Sequence, residues 1–278
     1  MAAKSFFDGK LALITGGSSG IGLALAKQLV ARGARVWISG RREDALTAAS
    51  LQIQQATGRT CNLFPADVAD PAQVARLVDE ITRRDGTPDL VINSAGITRP
   101  GYVQDLPLEV FRQMIEVNYL GTVYVVKAVL PGMLERGSGH LVNISSGAGF
   151  LGVFGYSAYG ASKYAVRGFS DVLRAEMKPH GIRVSIVFPP DTDTPQLAYE
   201  MPFKPPETKV ISGNARVLTA DAVASSILRG VERNRYIILP GFDIWFFYHL
   251  NNLLGSAVYL LMDWMVADAR RKKIKQQR

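Results

Sequence analysis

Short apolar runs alternate along this chain with longer stretches of helical periodicity, and that alternation limits the folds open to it. Leu11–Thr15, Val36–Ser39, Cys61–Pro65, Leu90–Asn93, His140–Ile144 and Arg183–Phe188 have strand length. Helical patterns run between them over Ile21–Arg32, Arg42–Thr57, Ala72–Arg84, Leu108–Glu116, Leu120–Arg136 and Ala158–Lys178. Strands buried on both faces read as continuous apolar runs, and parallel neighbours need a crossover helix between them. The pattern predicts an α/β unit, a Rossmann-like doubly wound parallel sheet, with ligands outside the carboxyl ends of its strands. No internal repeat or low-complexity linker interrupts it before about Arg235.

The first strand runs into T-G-G-S-S-G-I-G, Thr15–Gly22, and a helical pattern follows at once. Gly16, Gly20 and Gly22 have the spacing G-x-x-x-G-x-G. Glycine permits the tight turn and lets backbone amides approach an anion, and the helix start adds a positive dipole end. With Ser18, Ser19 and Ile21 the turn is a candidate cradle for a dinucleotide pyrophosphate. The end of the second strand bears on which dinucleotide. A free ribose 2′-hydroxyl usually meets an acid there, but this chain has S-G-R-R, Ser39–Arg42. Arg41 and Arg42 suit a 2′-phosphate through charge and forked hydrogen bonds, which predicts NADPH. The alternative is that the two arginines open a solvated helix, with Glu43 and Asp44 offsetting their charge.

Y-G-A-S-K places Tyr159 and Lys163 four residues apart, on one face of a helix. A nearby ammonium favours the phenolate and lowers the phenol pKa from about 10, which suits proton exchange near neutrality. Tyr156 lacks this partner, because Gly160 stands four residues on. Ser145 and Ser146 end the fifth strand, N-S-A-G (Asn93–Gly96) ends the fourth, and Asn118 lies in the helical region beyond.

Together these residues resemble the short-chain dehydrogenase/reductase family, over roughly residues 8–240. The family's serine lies thirteen residues before its tyrosine, which selects Ser146 over Ser145. The resemblance implies that Tyr159 donates a proton to a carbonyl oxygen and that Ser146 orients this oxygen. Lys163 then lowers the tyrosine pKa and binds the nicotinamide ribose, and Asn118 supports a proton-relay water. It further implies adenine contacts at Asp67 and Val68 and a cofactor-proximal strand end at Asn93 and Ala95. The Thr192 backbone and the Thr194 hydroxyl would face the cofactor.

F-P-P-D-T-D-T-P-Q, Phe188–Gln196, follows the sixth strand. The family usually has Pro-Gly here, and Pro189-Pro190 predicts a stiffer loop. Thr194-Pro195 reads as a helix N-cap with proline at the first helical position. Asp191 and Asp193 have no third ligand nearby, so no metal site is expected. This loop and K-P-P-E-T-K-V-I-S, Lys204–Ser212, look like those of the family's sphingoid-base ketone reductases. That implies a long-chain lipid ketone bound under a substrate loop at 190–215. Phe150, Leu151, Val153, Phe154, Leu197, Met201 and Phe203 are candidate apolar contacts, or plain packing. A 3-oxoacyl thioester or a steroid ketone is the competing substrate.

Residues 241–278 differ in character. Ile244–Met262 is nineteen residues without a formal charge, with His249, Asn251 and Asn252 near its middle and Trp245, Tyr248, Tyr259 and Trp264 toward its ends. An interfacial or re-entrant helix is expected over a full crossing, or a subunit interface in a homo-oligomer. The net charge is +8, but Arg270, Arg271, Lys272, Lys273, Lys275 and Arg278 crowd the last nine residues with no acid among them. The basicity is thus a property of the tail: it gives no case for nucleic acid and suits anionic headgroups. The expected location is the cytoplasmic side of a membrane, the inner membrane in a bacterium or the endoplasmic reticulum in a eukaryote. Cys61, the one cysteine, should be a reduced core residue, and the polar stretch Met1–Lys10 is not expected to be a signal peptide.

Overall fold

The computed structural model of the chain describes residues 5–212 and 216–276. Residues 213–215 of the expected substrate loop and Arg278 of the basic tail lie outside the described residues, as do the tail's basic side chains, Arg271 apart.

Strands and helices alternate as β1 (Leu11–Thr15), α1 (Gly20–Ala31), β2 (Arg35–Gly40), α2 (Glu43–Thr57), β3 (Asn62–Pro65), α3 (Pro71–Asp85) and β4 (Leu90–Asn93). Then come α4 (Leu108–Met114), α5 (Gly121–Arg136), β5 (Gly139–Ile144), α6 (Ser157–Met177) and β6 (Ile182–Val187). Local chemistry sets the boundaries. Asp70 caps α3 by accepting from the Ala72 and Gln73 amides, ahead of Pro71. Gly58 closes α2 and Gly137 closes α5 in the left-handed conformation.

All strand pairs of the main sheet are parallel. Its order is β3-β2-β1-β4-β5-β6-β9, where β9 is Ile237–Ile238, a short edge strand beyond the six runs legible in the sequence. Strand order reverses between β1 and β4, which opens a crevice at their carboxyl ends. Leu11 and Leu13 face one core, with α3, α5 and α6; Ala12 and Ile14 face the other, with α1, α2 and α9 (Ala220–Glu232). That two-residue alternation is why the runs are apolar throughout.

After β6 the chain forms a two-stranded parallel ribbon from β7 (Thr192–Asp193) and β8 (Leu218–Thr219). Between its strands lie α7 (Pro195–Glu200) and α8 (Pro206–Ser212). Two of the predicted helices prove to be one. Leu108–Arg136 is a continuous helix of 29 residues, joined through a π turn at Ile115–Leu120. By length and composition it is the one described helix apolar enough to cross a membrane, but it carries Asn118 and packs on the sheet through Val125, Val126 and Met133. The apolar C-terminal stretch, in contrast, is broken: α10 (Phe242–Leu254) stops at Gly255, where φ is +53°, and α11 (Val258–Gln276) follows.

Candidate active site

A cavity of about 480 Å³ opens at the carboxyl ends of the strands, within the usual size range of a small-molecule site. One end is the turn between β1 and α1. Gly16, Ser18, Ser19, Gly20, Ile21 and Gly22 all line it, and Arg41, Asp67, Val68 and Ala95 extend the wall. The cradle leaves no room for side chains. A carbon added to Gly22 would sit 2.2 Å from the Gly16 carbonyl oxygen, and one on Gly16 would sit 2.8 Å from the Ala95 backbone. Ser19 precedes α1 without capping it by its side chain, so first-turn amides remain available to an anion. These residues fit a dinucleotide pyrophosphate.

Three of the other expected cofactor contacts, Ser39, Arg42 and Asn93, lie off the wall. Ser39 is fully buried, and its hydroxyl has no partner among the described residues. Arg42 is exposed and immediately precedes α2, whose first turn holds Glu43 and Asp44, where acids favour the helix dipole. Asn93 donates to Asn143 Oδ1 at 2.9 Å, a buried link between β4 and β5. Thr192 and Thr194 reach the cavity from the loop after β6. Thr194 caps α7 by accepting from the Leu197 amide, with Pro195 at the first helical position, and its methyl closes on Gly20.

Ser146, Tyr159 and Lys163 stand together in the cavity wall. The two adjacent serines have different tasks. Ser145 donates to the Lys163 carbonyl at 3.0 Å and ties β5 to α6, whereas Ser146 is half-buried and starts a short 3-10 turn. Lys163 Nζ lies 5.6 Å from the Tyr159 ring centre and donates to the Ile144 carbonyl at 3.0 Å. Burial lowers its pKa to about 8. The expected depression of the Tyr159 phenol does not follow. Burial pushes its pKa up, hydrogen bonding to Ser146 only partly opposes this, and the Glu200 and Asp191 charges reinforce it.

Asn118 stands behind the wall, in the π turn, a feature that recurs at functional sites. Its Oδ1 accepts from the Ile97 amide at 2.8 Å, and its Nδ2 donates to the Ile97 carbonyl and to Ser162 Oγ. Only Gly96 separates it from Lys163: a side-chain carbon there would lie 3.2 Å from Asn118 Oδ1 and 3.5 Å from Lys163 Nζ.

The other end of the cavity is held by side chains. Tyr156, a bystander by its spacing, is buried and donates to Glu200 Oε1 at 2.9 Å. Lys204 reaches the same oxygen at 2.9 Å and Asp191 at 3.3 Å. Lys204 thus joins the two stretches that looked distinctive in the sequence. The second stretch docks further through Glu207, which accepts from the Tyr102 hydroxyl, and Thr208, which donates to the Phe154 carbonyl.

Of the expected apolar contacts, Phe150, Leu151, Val153 and Leu197 line the cavity. Phe154 packs edge-on to Tyr102, Phe203 lies under Arg99, and Met201 is exposed. The sequence reading missed Tyr156, Gln196, Glu200, Asp243, Ile244 and Phe247, all of which line it. The last three come from α10, which packs Ile244 and Tyr248 onto Phe150 and Phe188, while Asn251 donates to the Phe150 carbonyl. Two signals were present: the four-residue spacing of Glu200 and Lys204, and the one-face spacing of Ile244, Tyr248 and Asn251.

Residues 10–203 match the short chain dehydrogenase family. The chain is 37% identical to the 3-ketodihydrosphingosine reductase of Bos taurus over 253 residues, covering 90% of this chain and 72% of that one. It superimposes on a short-chain dehydrogenase from Sphingobium yanoikuyae in complex with NADPH with a TM-score of 0.75 and 28% identity, over 91% of this chain and 96% of that one. A short chain dehydrogenase/reductase from Burkholderia phymatum in complex with NAD gives a TM-score of 0.80 and 25% identity, over 90% and 95%. The chain belongs to the short-chain dehydrogenase/reductase family and is one of its oxidoreductases.

Proposed function

We propose that the chain reduces the 3-keto group of 3-ketodihydrosphingosine to the alcohol of dihydrosphingosine, with NADPH as cofactor. One observation carries the reading: a cavity joins the glycine cradle, the Ser146–Tyr159–Lys163 group and an apolar wall of Phe150, Leu151, Val153, Leu197 and Phe247. The wall suits a long alkyl chain beside the reacting ketone. The likeness to sphingoid-base ketone reductases supports the same substrate. Solved relatives are described with NADPH or with NAD, so the preference for NADPH rests on Arg41, whose guanidinium suits a 2′-phosphate.

The nicotinamide, when bound, supplies the hydride. The chain's own groups position the ketone and move the proton. Ser146 donates a hydrogen bond to the carbonyl oxygen. Tyr159 transfers its phenolic proton to that oxygen as it gains charge. A phenol held protonated by burial enters this reaction as the acid that reduction requires. The Lys163 ammonium then faces the phenolate left behind, in a buried setting that strengthens the attraction. Asn118 holds the Ile97 backbone behind Gly96 and supports proton return beside the lysine.

Residues 241–278 serve as the membrane-docking segment in this reading, on the cytoplasmic side. Phe242, Trp245, Phe246 and Phe247 on α10 and Tyr259, Leu260 and Trp264 on α11 are exposed, and Phe247 is also part of the cavity wall. An aromatic surface at the mouth of a lipid site suits entry of substrate from a bilayer, and the basic tail suits anionic headgroups. Burial of this surface in a homo-oligomer is the competing outcome. The substrate assignment is tested by supplying purified protein with NADPH and 3-ketodihydrosphingosine and measuring dihydrosphingosine. Product is expected; none, alongside brisk reduction of a 3-oxoacyl thioester, would move the chain to another substrate.

A further inference from the structure

The cluster at the substrate end has an unbalanced charge. Glu200 and Asp191 are carboxylates of the cavity wall, and within the cluster Lys204 alone answers both. Glu200 is only 6% exposed and Lys204 only 4%. A buried carboxylate is costly unless it is paired and hydrogen-bonded. Both side-chain contacts described for Glu200, the Tyr156 hydroxyl and Lys204 Nζ, fall on Oε1; none is described for Oε2, and the residue lines the cavity. Tyr156 and Tyr159 have ring centres 5.7 Å apart, so the carboxylate is held one aromatic ring from the reacting phenol. Among the described residues Lys163 makes no ion pair with Glu200 or Asp191; its ammonium donates to the Ile144 carbonyl.

We propose that Glu200, clamped by Tyr156 and Lys204, is the subsite for a substrate ammonium group on the carbon next to the reacting ketone. The inference rests on the substrate reading above: a 3-keto sphingoid base carries an amine on the adjacent carbon, whereas a 3-oxoacyl thioester or a steroid ketone carries none. An ammonium there completes the charge balance that the chain leaves open, and a charge-assisted hydrogen bond to a fixed carboxylate gives direction as well as attraction. Tyr156 acts as a positioning residue: its hydroxyl holds Glu200 Oε1, a task that needs no lysine four residues on.

The test compares two ketones of equal chain length, 3-ketodihydrosphingosine and its analogue lacking the 2-amino group. The wild type should favour the amine by about 10- to 100-fold in kcat/KM. Glu200→Gln should lose most of that preference, with the ratio of kcat/KM for the two ketones falling toward one on top of any change in rate that both ketones share through Tyr159. Equal losses on both ketones would reduce Glu200 to a structural role and overturn the proposal. The wild-type comparison needs no variant to fold, and absence of an amine preference there overturns the proposal outright. The two readings fail separately: no turnover of 3-ketodihydrosphingosine removes the substrate assignment, whereas turnover without amine preference removes only the Glu200 subsite.

Discussion

At the glycine turn, a carbon added to Gly22 would strike the Gly16 carbonyl, whereas at the substrate end Tyr156, Glu200, Lys204 and Asp191 hold one another through side-chain atoms. The first region is shaped by a backbone that must come close to an anion, and its parts lie within eight consecutive residues, Thr15–Gly22. The second is assembled from α6, the loop after β6, the α7–α8 segment and α10. A dinucleotide is common chemistry across a family, so its cradle is local and rigid. A particular ketone calls for a particular wall, and helices that fold back onto the sheet can change that wall without disturbing the cradle.

The largest effects should fall where the two regions meet. Tyr159→Phe removes the transferred proton and is expected to cut ketone reduction by about 10²- to 10⁴-fold, with NADPH binding retained by fluorescence titration. Unchanged reduction would remove Tyr159 from the proton path. Within the cradle, Gly22→Ala places a carbon 2.2 Å from a backbone oxygen. It should abolish measurable dinucleotide binding and cost about 1–3 kcal/mol of stability in a denaturant melt. A variant that bound cofactor normally would show that the turn is not a close backbone cradle.

Arg41 gives a smaller and more selective effect. Arg41→Ala should weaken NADPH by about 10-fold or more while leaving NADH nearly unchanged, because a charge-assisted contact is lost only where a 2′-phosphate exists. Equal weakening of both would remove the 2′-phosphate contact. The pH profile then separates the tyrosine from the lysine. Lys163 is lowered by burial to about 8, so its ammonium is present below that pH and is lost as pH rises through it. The phenol, raised by burial, keeps its proton across the same range. Reduction should therefore fall above about pH 8, approaching tenfold per unit, with little change between pH 6 and 7.5. A rate that rises with alkalinity would mean that phenolate, not phenol, is the working form. The smallest effect on chemistry, with a clear effect on docking, is expected at the exposed face of α10. Trp245→Ser with Phe246→Ser should release protein from anionic liposomes and barely alter reduction of a soluble ketone. Loss of oligomers without loss of liposome binding would assign that face to a subunit interface.

The fold was legible in the sequence because buried parallel strands and their crossover helices leave opposite patterns, and β1 to β6 each match a predicted run to within one residue at either end. β9 was not, because two residues at a sheet edge carry no period of their own. The single helix Leu108–Arg136 read as two because its π turn shifts the helical period where Asn118 must face Ile97. The Tyr159–Lys163 pairing was legible because i and i+4 on a helix share a face. The tyrosine's pKa was not, since it depends on burial by segments far away in sequence. The C-terminal segment misled in a similar way. Nineteen uncharged residues read as one helix, but Gly255 divides them and Ile244 and Tyr248 belong to the catalytic unit's packing.

A cavity shaped for a sphingoid-base ketone reduced by NADPH should show itself in a competition between substrates. 3-Ketodihydrosphingosine and a 3-oxoacyl thioester of equal chain length are offered together with NADPH, and both products are measured from one mixture. Dihydrosphingosine is expected as the dominant product, with the ratio of kcat/KM values about tenfold or more in its favour. Dominance of the hydroxyacyl product would contradict it.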